Sequence, residues 1–218
     1  MFDTIWQGAL SYAQTMSHWE TTAVILGVAY LVFAMRQSQW CWYAAFGSTA
    51  IFSWLFLDVS LLMESALNVY YLAMAVYGWI SWRNGKTEST ALPIQRWQFN
   101  HHVLAIGGVL LISAASGYLL SENTTAVMPY LDSFTTWGAV LTTWMVTRKV
   151  LENWLYWVVI DAVAIYLYID RELYLTALLM MVYVVLATAG YFMWRKDYLE
   201  QTTAPNGVPA CTPLSNRL

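Results

Sequence analysis

The stretch RKVLENWLYWVVIDAVAIYLYID, residues 148–170, decides the architecture of this chain. It opens on two cations, Arg148 and Lys149, and then runs mostly apolar from Leu151 to Ile169. That is long enough to cross a bilayer, since a spanning helix needs about 17–25 such residues. One carboxylate, Asp161, stands in its middle. An ionisable group at that depth is costly and marks a functional position by default. Working outward, the same criterion gives seven spans at about 21–35, 41–57, 62–82, 103–120, 132–147, 151–169 and 173–194. The predicted fold class is an all-α polytopic membrane protein with seven transmembrane helices.

Composition agrees. The chain is 59% hydrophobic and 11% charged, whereas a soluble domain carries about 25% charged residues. No Lys or Arg precedes Arg36 and no small-residue cleavage site follows a short apolar core, so the first residues do not read as a removed leader. Cys41 and Cys211 have none of the spacings of a zinc or disulfide framework. A net charge of −3 argues against a nucleic-acid partner.

The basic residues set the orientation. With the N-terminus outside, inner loops hold Arg36, then Arg83, Lys86 and Arg96, then Arg148 and Lys149, then Arg195, Lys196 and Arg217. Arg171 alone falls outside, between Asp170 and Glu172. Nine of the 10 cations on one side predict N-out, C-in.

Sliding the sequence along itself from 36 to 148, an offset of 112, aligns a second set of residues. Arg36 falls on Arg148, Trp42 on Trp154, Asp58 on Asp170, Leu61 on Leu173, Tyr71 on Tyr183, Gly78 on Gly190, and Trp82-Arg83 on Trp194-Arg195. A fixed offset without gaps reads as duplication of a three-helix unit. Three is odd, so an inverting fourth span must return the chain before the second unit begins. The expected layout is 3+1+3 with parallel repeats: an interfacial segment 1–19, a first repeat 20–83, a linker with inverting helix 84–131, a second repeat 132–196 and a mobile cytoplasmic tail 197–218.

Candidate ligand-binding residues follow from chemistry inside the spans. Trp154, Trp157 and Asp161 fall at i, i+3 and i+7, one helical face. Two indoles and a carboxylate there make a slot for a flat cationic or hydrogen-bonding ring; as an alternative, the tryptophans are interfacial anchors. Glu64 and Glu152, near span ends, are either ligand groups or interfacial ion pairs and caps. Asn68 lies one turn beyond Glu64, followed by Tyr70, Tyr71 and Tyr77, and either reads a ligand or bonds a neighbouring helix.

Other chemistries lack their parts. Lys86, Lys149 and Lys196 sit at span ends, so no intramembrane lysine offers itself for a retinal linkage. His18 is outside and His101-His102 open the fourth span, which leaves no buried haem ligands. No nucleophile–base set and no phosphate-cradling loop is present, so neither an enzyme nor a bound cofactor is expected.

Three stretches carry a resemblance: Asp132-Ser133 through Thr147-Arg148-Lys149; Glu152-Asn153-Trp154-Leu155-Tyr156-Trp157; and Asn68-Val69-Tyr70-Tyr71 leading to Tyr77-Gly78-Trp79 and Trp82. Together they resemble the PnuC family of bacterial vitamin transporters across roughly residues 20–196. The resemblance implies a SWEET-like fold in the bacterial inner membrane, a homotrimer, and facilitated diffusion with trapping by a cytoplasmic vitamin kinase. Members carry nicotinamide riboside, and related branches thiamine or riboflavin. By resemblance the substrate site includes Trp154 and Trp157, and with them Asp161, Asn68, Tyr71, Asn153 and Glu64 are taken as substrate-binding.

The sequence departs from the nicotinamide riboside branch at two positions, having Asn68 where Gln is usual and Asp161 where Asn is usual. Ionised Asp only accepts hydrogen bonds, whereas Asn both donates and accepts. Thiamine offers an amino donor and a fixed positive charge, so the expected substrate is thiamine, with nicotinamide riboside as the alternative and a vitamin-binding membrane sensor as a reading from another class.

Overall fold

The computed structural model describes residues 14–58, 62–84, 92–124 and 127–203 with isolated positions 7 and 11, leaving out the side chains of 56–58, 62–66 and 84. Its described residues form seven long helices: α1 (His18–Met35), α2 (Trp40–Asp58), α3 (Leu62–Asn84), α4 (Phe99–Asn123), α5 (Pro129–Thr147), α6 (Asn153–Asp170) and α7 (Tyr174–Thr203). Each of the seven expected spans is there. The expected segment 1–19 lies mostly outside the described residues, as do Cys211 and the rest of 204–218.

Local chemistry fixes the ends. Ser17 and Glu20 form a capping box at the start of α1, the Glu20 N–H donating to Ser17 Oγ at 3.1 Å and the Ser17 N–H to Glu20 Oε2 at 2.8 Å. Pro129 occupies the first turn of α5, where its missing N–H costs nothing. The largest departure from expectation is at the other terminus. Residues 197–203, expected in a mobile tail, continue α7 to Thr203. Hydropathy marks where apolar residues stop, not where the helix stops, and Lys196 pairs with Glu200 one turn on.

The helix contacts close a ring. Among the described residues α1 packs on α2, α2 on α3, α3 on α5, α5 on α6, α6 on α7, and α7 back on α1. Helix α4 stands outside this ring against α5. Consequently α2 and α6 lie on opposite sides, each flanked by the other two helices of its own half.

The outside of the bundle is apolar. Phe99, Leu104 and Leu111 on α4 are 77%, 75% and 73% exposed, which is unfavourable in water over so wide a surface. By length and apolar character alone, α1, α4 and α7 suffice to cross a membrane. The other four helices have 18 to 23 residues, about 27–35 Å at 1.5 Å per residue, and their apolar runs are diluted by polar and aromatic residues.

Detail repeats between the halves. The α1–α2 turn and the α5–α6 turn are the same Schellman motif: Ser38 N–H donates to Phe33 C=O and Gln37 N–H to Ala34 C=O, while Val150 N–H donates to Met145 C=O and Lys149 N–H to Val146 C=O. Gln37 and Lys149, 112 apart, hold φ at 53° and 52°, where Gly is usual. Beside these turns Trp82 Nε1–H donates to Val146 C=O at 3.3 Å, and Trp194 Nε1–H donates to Ala34 C=O at 3.1 Å. Each half thus ties its last helix to the first helix of the other.

Candidate functional site

Four tryptophans close one end of the ring. Trp42 meets Trp82 edge-on at 5.2 Å and 84°, and Trp154 meets Trp194 at 5.4 Å and 88°. The two pairs join through Trp82 and Trp194 at 6.1 Å. Their helices approach closely because Gly78 and Gly190 have no side chain. A Cβ at Gly78 would enter the Trp42 ring, and one at Gly190 would come within 2.7 Å of Trp154.

A polar chain caps this plug. Lys149 Nζ donates to Gln37 Oε1 at 3.0 Å and sits 4.7 Å from the Trp82 ring centroid, and Gln37 Nε2 donates to Asp197 Oδ2 at 2.6 Å. Two residues in left-handed backbone, a conformation costing about 1–3 kcal/mol for a non-glycine residue, supply the side chains that link across the halves. Residues 92–98 run beneath: Gln95 pairs with the α5–α6 turn through Gln95 N–H to Lys149 C=O at 2.9 Å and Leu151 N–H to Gln95 C=O at 2.8 Å.

The sequence-derived candidates separate into groups. Trp154 is 1% exposed, its ring against Gly190 and edge-on to Trp194. A two-indole slot is therefore not what this conformation presents, because the faces of Trp154 are taken by packing. Its Nε1–H lacks a hydrogen-bond partner among the described residues, and so does that of Trp42, so the orphaned donor is a property of the paired packing rather than a mark of a ligand. Trp157, one turn further along the same face, is partly buried at the edge of the plug.

Asp161 lies about 10 Å along α6 from Trp154 at 1.5 Å per residue. It is 5% exposed, and among the described residues it forms no ion pair or hydrogen bond. Tyr71 on α3 and Tyr183 on α7 lie near it. Asn68 is partly buried on the Tyr71 face of α3. Tyr183 in turn packs its hydroxyl against Gly27 of α1, where Ser48 of α2 also approaches. The structure thus gathers Asp161, Tyr71, Tyr183 and Trp157 toward the ring interior above the plug, with Asn68 on the α3 face that leads there.

Two candidates belong elsewhere. Glu152 is an interfacial ion pair, bonded to Arg96 Nε at 2.9 Å and to the Trp97 N–H at 3.3 Å. The hydrogen bond from its guanidinium to Glu152 raises the pKa of Arg96 above its ordinary value. Asn153, fully buried, donates from Nδ2 to Val150 C=O at 2.6 Å at the base of α6, far below Asp161. The Glu64 side chain lies outside the described residues. Sequence reasoning missed Tyr183 and the Lys149–Gln37–Asp197 chain. Tyr183 was available as the offset partner of Tyr71.

Two crevices of about 260 and 380 Å³ open between α4, α5 and α6. They are lined mostly by aliphatic residues and Phe134, with Tyr156 in one and Tyr130 and Ser113 in the other, expose little polar surface, and share no residue with the Asp161 group. Chemistry places the candidate site at Asp161 instead.

Comparison with known proteins places this arrangement. The family model described as nicotinamide mononucleotide transporter matches residues 17–196. The chain is similar to the nicotinamide riboside transporter PnuC of Escherichia coli, 22% identical over 207 residues that cover 84% of this chain and 87% of that one. It is also similar to the riboflavin/roseoflavin transporter RibM of Streptomyces davaonensis, 22% identical over 193 residues covering 85% and 89%. Among solved structures, the crystal structure of the vitamin B3 transporter PnuC superposes with a TM-score of 0.70 at 17% identity, covering 91% of this chain and 90% of that one. The expectation of thiamine finds no support among these relatives, which favour the nicotinamide riboside alternative. The match from Ser17 to Lys196 takes in α1 to α6 and α7 as far as Lys196, and the chain belongs to the PnuC family of nicotinamide mononucleotide-type transporters, multi-pass proteins of the bacterial inner membrane.

Proposed function

We propose that this chain takes up nicotinamide riboside by facilitated diffusion, binding its pyridinium ring above the tryptophan plug. The observation that carries the reading is Asp161. A carboxylate taken out of water without a cation is costly, and a cationic ring on the Trp157 face would supply the missing charge while stacking on the indole. Tyr71, Tyr183 and Asn68 offer hydroxyl and amide groups for the carboxamide and ribose. Both named functions among the relatives, a nicotinamide riboside carrier and a riboflavin carrier, concern flat-ringed vitamins bearing a sugar or sugar-alcohol chain, which fits such a site.

The rest of the transport cycle follows from the same reading. The chain is a 3+1+3 duplication of units 20–83 and 132–196 about an inverting helix, oriented N-out and C-in, and assembles as a homotrimer. The plug then lies at the cytoplasmic end and must open for release, after which a cytoplasmic kinase traps the vitamin by phosphorylation. Among the described residues Asp161 is the one deep carboxylate, and proton relays use chains of ionisable groups, which supports transport without ion coupling.

Thiamine remains a second reading on one observation. Asp161 replaces the amide of the nicotinamide riboside branch, and a carboxylate matches an amino donor better than it matches a carboxamide carbonyl. Uptake of radiolabelled nicotinamide riboside, thiamine and riboflavin into proteoliposomes decides. Nicotinamide riboside should enter fastest, stop at equal concentrations, ignore sodium and proton gradients, and accumulate only with a kinase inside. Gradient-driven accumulation without kinase would end the passive reading, and faster thiamine entry would reverse the substrate order.

A further inference from the structure

The offset of 112 relates Trp42, Gly78 and Trp82 to Trp154, Gly190 and Trp194, and packing accounts for each matched pair, ring against glycine and edge against ring. One turn above the plug α2 and α6 differ. Ala45 stands on α2 where Trp157 stands on α6, and one turn higher Thr49 stands where Asp161 stands. In the six-helix ring α2 and α6 are opposite walls, so each of these pairs faces across the interior at one level. Ala45 packs at the edge of the plug as Trp157 does. Thr49, 9% exposed, turns its hydroxyl back on the Ala45 carbonyl at 2.6 Å, leaving its lone pairs and methyl for the interior.

A repeated indole at position 45 would put two large rings face to face at that level and fill it. A methyl group there takes up far less of that level than an indole would. We propose that Ala45 is a specificity-determining residue: it forms the second wall of the slot in which a flat ring lies on Trp157, and its small size sets the thickness of ring that the carrier admits. This rests on the reading of Trp157 and Asp161 given above, and extends it to the opposite half of the molecule. Trp42, the neighbour below, cannot serve this purpose because Gly78 and Trp82 already occupy its faces.

The test uses purified full-length protein in detergent, titrated with nicotinamide riboside, or with thiamine should the wild type bind that more tightly. Ala45→Leu should weaken binding at least tenfold with a retained cooperative unfolding transition, and Ala45→Gly should stay within about twofold of wild type. A second measurement needs no large side chain. In Ala45→Cys, ligand should slow maleimide labelling at position 45 at least threefold, read by peptide mass spectrometry, while labelling of the lipid-facing control Phe46→Cys is unchanged; Phe46 is 47% exposed. Normal binding by Ala45→Leu, or labelling of Ala45→Cys that ignores ligand, overturns the proposal. Trp157→Ala run alongside separates the failures: if it loses binding while the position 45 variants do not, the slot lies elsewhere on Trp157, and if it too binds normally, the underlying reading falls.

Discussion

The first half of the ring and the second are built alike at the closed end and unlike one and two turns above it. Trp42 and Trp154 pack on matching glycines and donate no hydrogen bond among the described residues; Trp82 and Trp194 each bond a carbonyl of the opposite half. Above them Ala45 corresponds to Trp157, Thr49 to Asp161, and Asn68 of α3 to Met180 of α7. At the plug, where both halves keep Trp, Gly and Trp, packing explains the match. One and two turns above, where α2 and α6 differ, the proposed ligand does. Symmetry in a duplicated carrier serves the closure, and asymmetry serves recognition, because a small vitamin has no symmetry for two equal walls to read.

The comparison can be broken most sharply at the plug. Trp42→Ala and Trp154→Ala should destabilise the folded protein alike, by about 3 kcal/mol or more as for other buried Trp→Ala changes, read as parallel losses in thermal unfolding midpoint. A Trp154→Ala protein as stable as wild type but unable to bind would return Trp154 to the ligand and end the parallel. Gly78→Ala and Gly190→Ala come next. Overpacking of this kind costs about 1–3 kcal/mol, and the two glycines should respond within about 1 kcal/mol of each other.

At the level of Asp161, recognition should respond in one half alone. Asp161→Asn removes a charge at nearly constant size and should weaken a cationic vitamin by about tenfold or more, a charged hydrogen bond contributing about 1.5–3 kcal/mol. The counterpart Thr49→Val should change affinity by less than about threefold. Equal losses from both, measured by titration, would give the halves equal shares in binding. The smallest expected effect on affinity is at the cap. Lys149→Met deletes the charged hydrogen bond to Gln37, about 1.5–3 kcal/mol, and should speed cysteine labelling at the plug while leaving affinity nearly unchanged.

Much of the architecture is legible in the sequence. Helix number follows from apolar runs such as Leu151–Ile169, whose bounds hydropathy sets well wherever both ends meet turns. Hydropathy fails at α7, where Arg195–Thr203 is polar yet helical, because backbone hydrogen bonding continues past the apolar boundary. The site is legible in part. Asp161 shows itself as a lone carboxylate in an apolar run, and Glu152 is ambiguous until Arg96 is seen beside it. Trp154 and Trp157 look equivalent in sequence, since spacing puts both on one face. What parts them is Gly190, thirty-odd residues on, which seats one indole and not the other. Ring closure, and with it the opposition of Ala45 to Trp157, is a long-range fact that no local pattern carries.

The division between closure and recognition is tested most directly by a binding titration of Trp157→Ala against nicotinamide riboside, with unfolding followed on the same samples. Removing a stacking aromatic contributes about 1–3 kcal/mol, so affinity should fall about ten- to a hundredfold while the unfolding midpoint stays near wild type. Wild-type affinity in Trp157→Ala, or a loss of affinity matched by a loss of stability as large as that of Trp154→Ala, would contradict it.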